Sequence, residues 1–214
     1  MVPRPSGTRQ ATPDPTTAAS SPPRLPTRAS QREVARRRVE QLALNMFSRQ
    51  GFDAVTVEDI CGEAGIAPAT FYRYFGSKES IVFCYEEEFL AAAREIGESV
   101  DLQQDTLDQL RQILRRCMRF FEDQSDMLAL RDQIVLPHAA LLQRTLAIQR
   151  KFESSLAEAL AARRQEGSAT EASLDAAVCL LVLRLGLRAW RSDAGSDLEG
   201  HTIATFESLR TRLR

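Results

Sequence analysis

The chain has 214 residues, 43% hydrophobic and 27% charged, with a formal net charge of −1. This is an ordinary globular composition, and the near-zero charge gives no global sign of a polyanion binder. The longest apolar run, residues 176–183, is too short to span a bilayer. No apolar stretch near the start has the form of a secretory signal. A cytoplasmic location with no membrane partner is expected.

Taken in order, residues 1–29 hold seven of the nine prolines together with many Ser, Thr and Ala. Such a segment buries too little apolar surface to offset the entropy of ordering, so it reads as a disordered tail. Its Arg4, Arg9, Arg24 and Arg28 against Asp14 make it basic. From Ser30 onward the hydrophobic period is helical and no alternating strand pattern occurs. The fold class expected is all-α, with about nine helices.

The first helix is expected from Ser30, with Glu33 in capping-box spacing, to Gln50. Its apolar face is Val39, Leu42, Ala43, Met46 and Phe47, and Gly51 ends it. Thr56 caps a short second helix, and Pro68 opens a third that Gly76 breaks. Ser77 caps a long fourth helix to about residue 99. Further helices are expected near 105–123, 126–135, 137–165, 170–191 and 197–212.

Between Thr56 and Phe75 lie a helix, a three-residue turn containing Gly65, and a second helix. That is a helix-turn-helix arrangement. Gly65 supplies the positive φ of the sharp turn. Ile60, Ala64, Ile66 and Phe71 are the expected packing residues. The second helix then offers Pro68, Ala69, Thr70, Tyr72 and Arg73 to a DNA major groove.

The string Ala43…Phe47, Gly51-Phe52, Thr56-Val57-Glu58-Asp59-Ile60, Ala64-Gly65-Ile66, Thr70-Phe71-Tyr72-Arg73-Tyr74-Phe75 and Lys78-Glu79 resembles the DNA-binding domain of the TetR family of repressors. It departs from the common pattern at Cys61 and at Ala67-Pro68. The resemblance implies that residues 30–84 form a helix-turn-helix domain and residues 85–214 an effector-binding and dimerisation bundle. It implies phosphate contacts from Tyr72 and Lys78, and base-edge or backbone contacts from Thr70, Arg73 and Tyr74. Thr56 would set a helix N-terminus against a phosphate. Pro68 and Ala69 would meet a thymine methyl, and Arg73 offers a bidentate fork for guanine. Arg36, Arg37 and Arg38 read as a solvated run, one of which would meet a phosphate near DNA.

In the second half, Pro137…Leu141…Arg144, residues 156–161 and Leu187-Arg188-Ala189-Trp190 resemble the mycofactocin-regulator group of the same family. This implies a fatty-acyl or acyl-CoA-like effector. The candidate pocket is Phe120, Phe121, Leu128, Phe152, Leu156, Leu183, Arg184, Leu187 and Trp190, although ordinary core is the default reading of each apolar member. Arg119, Arg184 and Arg188 are the candidate partners for acidic groups of such a ligand. The family's last two helices form a two-fold interface, which points to Leu174, Val178, Leu181, Leu185, Ile203, Phe206 and Leu209 as homodimer contacts. Operator DNA, a second copy of the chain and a small-molecule effector are thus the expected partners.

Neither catalytic residues nor a metal site nor a cofactor is expected. His138 and His201 sit in no nucleophile or metal motif, and no glycine-rich phosphate loop occurs. The four cysteines, Cys61, Cys84, Cys117 and Cys179, match no zinc or CxxC spacing and read as buried packing residues. A regulator of DNA without a small ligand, set by a protein partner or by its own level, is the alternative.

Overall fold

Helix α1 (Arg28–Gln50) packs on α2 (Val57–Ala64), which holds α3 (Pro68–Phe75), and on α4 (Lys78–Val82), which meets both α1 and α3. The computed structural model describes residues 28–122, 125–164, 168–193 and 197–212. The tail expected over residues 1–29 lies outside them except for its last two positions, which begin α1. The helix therefore starts ahead of Ser30, which lies within its first turn and is not its N-cap. Glu33 instead pairs with Arg36 through two hydrogen bonds, Nε to Oε2 at 3.0 Å and Nη2 to Oε1 at 2.9 Å, and with Arg37 at 3.0 Å.

The remaining helices are α5 (Glu86–Ser99), α6 (Thr106–Glu122), α7 (Ser125–Val135), α8 (Ala139–Ala161), α9 (Ala169–Ser192) and α10 (Leu198–Arg212). The described residues contain no strand. The all-α expectation holds, with one difference in how the helices divide. A single helix was expected from 77 to 99, but the chain breaks between α4 and α5. Ile81, Val82 and Phe83 are all buried, and three consecutive residues span 200° of a helix, more than one core-facing stripe accommodates. Interrupting the helix lets all three turn inward.

Helices α5, α8, α9 and α10 form a body, backed by α6. Two glycines set its closest crossings. A Cβ on Gly97 would lie 2.6 Å from Ala159 Cβ, and one on Gly186 would lie 2.8 Å from Thr202 Cα. Thus α5 meets α8, and α9 meets α10, at near-backbone separation. Arg163 closes the C-terminal end of α5 by donating from Nη1 to the Gly97 carbonyl at 2.9 Å and the Val100 carbonyl at 2.7 Å; helix C-termini favour such cations. Helix α7 lies between the two groups, packed on α1 on one side and on α6 and α8 on the other.

Candidate nucleic-acid interface

The turn from α2 to α3 is built from backbone conformation. Gly65 has φ 66° and ψ 37°, in the left-handed region, where a glycine carries no Cβ penalty. Ile66 N–H then reaches back to the Cys61 carbonyl at 3.1 Å. Pro68 occupies the first turn of α3, where its missing N–H costs nothing. Gly76, at φ 75°, closes α3.

Period then decides which face of α3 is outward. Phe71 and Phe75 are buried in the hydrophobic core, and their rings lie 5.4 Å apart. Pro68, Ala69, Tyr72 and Arg73 are therefore exposed, with Tyr72 retaining 51% of its surface. Ala69, Tyr72 and Arg73 share one face at i, i+3 and i+4 spacing. Thr70 and Tyr74 are half-buried. Arg73 Nη2 lies 3.4 Å from Thr70 Oγ1. The Tyr74 ring has the guanidinium carbons of Arg32 and Arg73 each 5.7 Å from its centroid.

One residue, Lys78, is placed differently from the expectation. Lys78 turns inward: its Nζ donates to the carbonyls of Phe52 at 2.8 Å and Val55 at 3.0 Å and sits 4.3 Å from the Phe52 ring centroid. Two of its three N–H bonds tie α4 to the loop before α2. The family pattern supplied the phosphate expectation, and nothing in the sequence signalled the two carbonyls. Thr56 caps α2 as expected, in a full capping box with Asp59. The Asp59 carboxylate accepts from Thr56 N–H at 2.8 Å and Oγ1 at 2.6 Å, and these bonds hold its pKa below the usual range. Of the basic run on α1, Arg36 and Arg37 are engaged by Glu33, and Arg37 also reaches Glu88 at 3.2 Å.

In the body, Phe120, Phe121 and Phe152 converge on a residue that the sequence reading missed, Phe89. Phe89 stacks on Phe152 at 4.2 Å and lies 5.6 Å from both Phe120 and Phe121. Its place on an amphipathic helix gave no signal separating it from ordinary core. Leu156, Leu183 and Leu187 are buried, and Leu128 and Trp190 are half-buried against the core. Arg184, by contrast, is exposed. Between α5 and α6 an open cleft of about 470 Å³ is bordered by Glu95, Ile96, Ser99, Arg116, Arg119 and Phe120.

Along α9, Leu174, Leu181 and Leu185 are 62%, 39% and 41% exposed, and Val178 between them is half-buried. Ile203 and Leu209 of α10 are also half-buried. A groove of about 510 Å³ runs between the two helices past Leu181, Leu185, Thr205 and Leu209. Phe206 departs from this stripe. It is 2% exposed and faces α6, with the Arg111 guanidinium 5.7 Å from its ring centroid. Its position in α10 puts it on the inner side, so it is core of its own chain.

Cys61, Cys117 and Cys179 are buried and Cys84 is half-buried, all as free thiols. His138 lies beside Asp53 at 3.6 Å and His201 beside Asp193 at 3.3 Å. Among the described residues no three His, Cys, Asp or Glu side chains are grouped to hold a metal ion, and no helix is long and apolar enough to cross a membrane.

A helix-turn-helix head carried on an all-helical body defines a transcriptional regulator. Residues 41–83 match the family model described as bacterial regulatory proteins, tetR family. The chain is 32% identical over 200 residues to the HTH-type transcriptional regulator TcmR of Streptomyces glaucescens, covering 86% of this chain and 85% of that one. It is 26% identical over 172 residues to a putative mycofactocin biosynthesis transcriptional regulator of Mycobacterium tuberculosis, covering 79% and 86%. Among solved structures, FadR of Bacillus subtilis, crystallised with stearoyl-CoA, superposes with a TM-score of 0.57 at 19% identity over 80% of this chain and 95% of that one. PfmR of Thermus thermophilus gives 0.52 at 22% identity over 79% and 95%. The chain belongs to the TetR family of transcriptional regulators.

Proposed function

We propose that this regulator is a cytoplasmic homodimeric repressor that reads a palindromic operator with α3 and releases it when a fatty-acyl or acyl-CoA-like effector enters the body. The observation that carries the DNA half is the division of α3, with Phe71 and Phe75 buried and Ala69, Tyr72 and Arg73 turned outward. Tyr72 takes a phosphate, Arg73 the edge of a guanine, and Pro68 and Ala69 a thymine methyl, with Thr70 and Tyr74 supporting that face. Thr56 acts by fixing the start of α2. Lys78 acts by fixing the loop before it.

The unpartnered leucine stripe on α9, continued by Ile203 and Leu209, supports a two-fold interface with a second copy. Such a dimer presents two copies of α3 to half-sites about 34–36 Å apart. The division of labour falls near residue 84, at the break between α4 and α5. For the effector, Arg116 and Arg119, two cations against the single Glu95 carboxylate in the lining of the α5–α6 cleft, support recognition of an acidic group. The Phe89, Phe120, Phe121 and Phe152 cluster behind it supports an apolar chain, after the side chains part to admit it. The stearoyl-CoA bound by the similarly folded FadR accords with this chemistry. Full switching needs about 5.5 kcal/mol of differential affinity between the two states.

The test is fluorescence anisotropy of the purified protein on the duplex flanking its own gene, with and without stearoyl-CoA. Specific binding released by the ligand is the expected result. Specific binding that stearoyl-CoA and free stearate leave unchanged would remove the effector half alone.

A further inference from the structure

Glu40 of α1 and Arg131 of α7 are each 6% exposed, and they form a buried ion pair between the reading head and the body. Arg131 gathers more than its carboxylate. Its Nη2 lies 3.9 Å from Cys84 Sγ, and its guanidinium carbon sits 4.6 Å from the Tyr85 ring centroid. Cys84 and Tyr85 lie in the break between α4 and α5. One guanidinium therefore touches the helix that carries the head, the junction through which the head joins the body, and α7. The next two residues of α7 extend the arrangement. Asp132 pairs with Arg191 of α9 at 2.5 Å, and Gln133 accepts from Ser48 of α1 at 2.9 Å.

Stability alone does not call for this pair. Burying two charges costs about what their attraction returns, and a well-packed apolar pair of similar volume is commonly as stable. An apolar pair lacks direction, however. A planar guanidinium and a carboxylate meet in a restricted geometry. Sliding α1 along α7 by one turn would leave two buried charges apart. The Arg131 Nε is itself buried without a partner, a further cost that the site tolerates.

We propose that Arg131, through Glu40, is the positioning residue that fixes the attitude of the reading head relative to the body. It touches no DNA. It determines where α3 is presented, so the consequence for operator binding rests on the DNA-reading proposal above, while the geometry does not.

The experiment places spin labels at Glu63→Cys on α2 and Arg150→Cys on α8 of the full chain. Labelled protein is diluted into excess unlabelled protein, so that only the intrachain distance is read by pulsed electron resonance. The wild type should give one narrow distance. The apolar double variant Glu40→Leu with Arg131→Met should melt within about 3 °C of it, yet show a shifted or broadened distance. Arg131→Met alone should melt lower, because it strands a buried carboxylate. A folded double variant whose distance coincides with the wild type would overturn the proposal. So would a double variant melting more than about 10 °C lower, since the pair would then hold the fold and not the attitude. Operator affinity of the same proteins is expected to fall with the double variant. A wild type that selects no DNA would remove the DNA-reading proposal, and the label distance would still decide this one.

Discussion

Tyr72 keeps half its surface in water beside a fully buried Phe71, an arrangement that packing alone does not require. Tyr72→Phe should weaken binding to all duplexes alike, because a phosphate contact carries no sequence information. Arg73→Ala should relax preference at one position per half-site, costing about 1–3 kcal/mol against the best base pair only. Anisotropy on a panel of single-substitution duplexes separates the two. Lys78→Met should behave differently again. Losing charged hydrogen bonds to two carbonyls costs about 1.5–3 kcal/mol, so the melting temperature falls while the salt dependence of DNA binding stays that of the wild type. A salt slope lower by about one would instead return Lys78 to the phosphate role. The exposed face of α3 was legible because Phe71 and Phe75 stand four apart with polar residues between them. The inward turn of Lys78 was not, because its partners are carbonyls 26 and 23 residues earlier, and backbone acceptors leave no mark in a residue pattern.

Among the helices, the ends and faces of α2 and α3 followed from caps and period, and the start of α1 and the junctions did not. Thr56, Gly65, Pro68 and Gly76 each occupy the position their chemistry favours. The Thr56–Asp59 box predicts that Thr56→Ala lowers stability by about 1 kcal/mol, read by denaturant unfolding. The break between α4 and α5 escaped the sequence reading because it contains neither glycine nor proline. Only the joint burial of Ile81, Val82 and Phe83 accounts for it. The close crossing of α9 and α10 was hidden for a related reason, since Gly186 inside a helical run reads only as a weak helix former. With Thr202 Cα only 2.8 Å from its would-be Cβ, Gly186→Ala should destabilise by about 1–3 kcal/mol through overpacking, despite alanine's better helix propensity.

For the whole molecule, the buried thiols give a dependence on pH with a definite sign. Burial pushes Cys84 and Cys117 up to about 12 from an ordinary 9.0, so the folded state holds these protons more tightly than the unfolded chain. Their contribution is complete below pH 9 and is lost as pH rises toward 12. Thermal melts from pH 8 to 11 should therefore show stability falling above about pH 9, and alkylation at pH 8 should reach the thiols only after denaturation. In the proposed dimer the α9 stripe meets the second copy, whereas Phe206 of α10 is buried in its own chain. A charge placed on the stripe, as in Leu181→Asp, should shift the chain toward monomer in sedimentation and weaken operator binding with it.

The central claim is that two copies of this chain read one palindromic site. Selection of duplexes from a random library by the full chain at near-physiological salt tests it most directly. Enrichment of an inverted repeat whose half-site centres lie about one helical turn apart is expected. Arg73→Ala should relax one position in each half. An enriched site without two-fold symmetry, or binding that enriches no sequence at all, would contradict it.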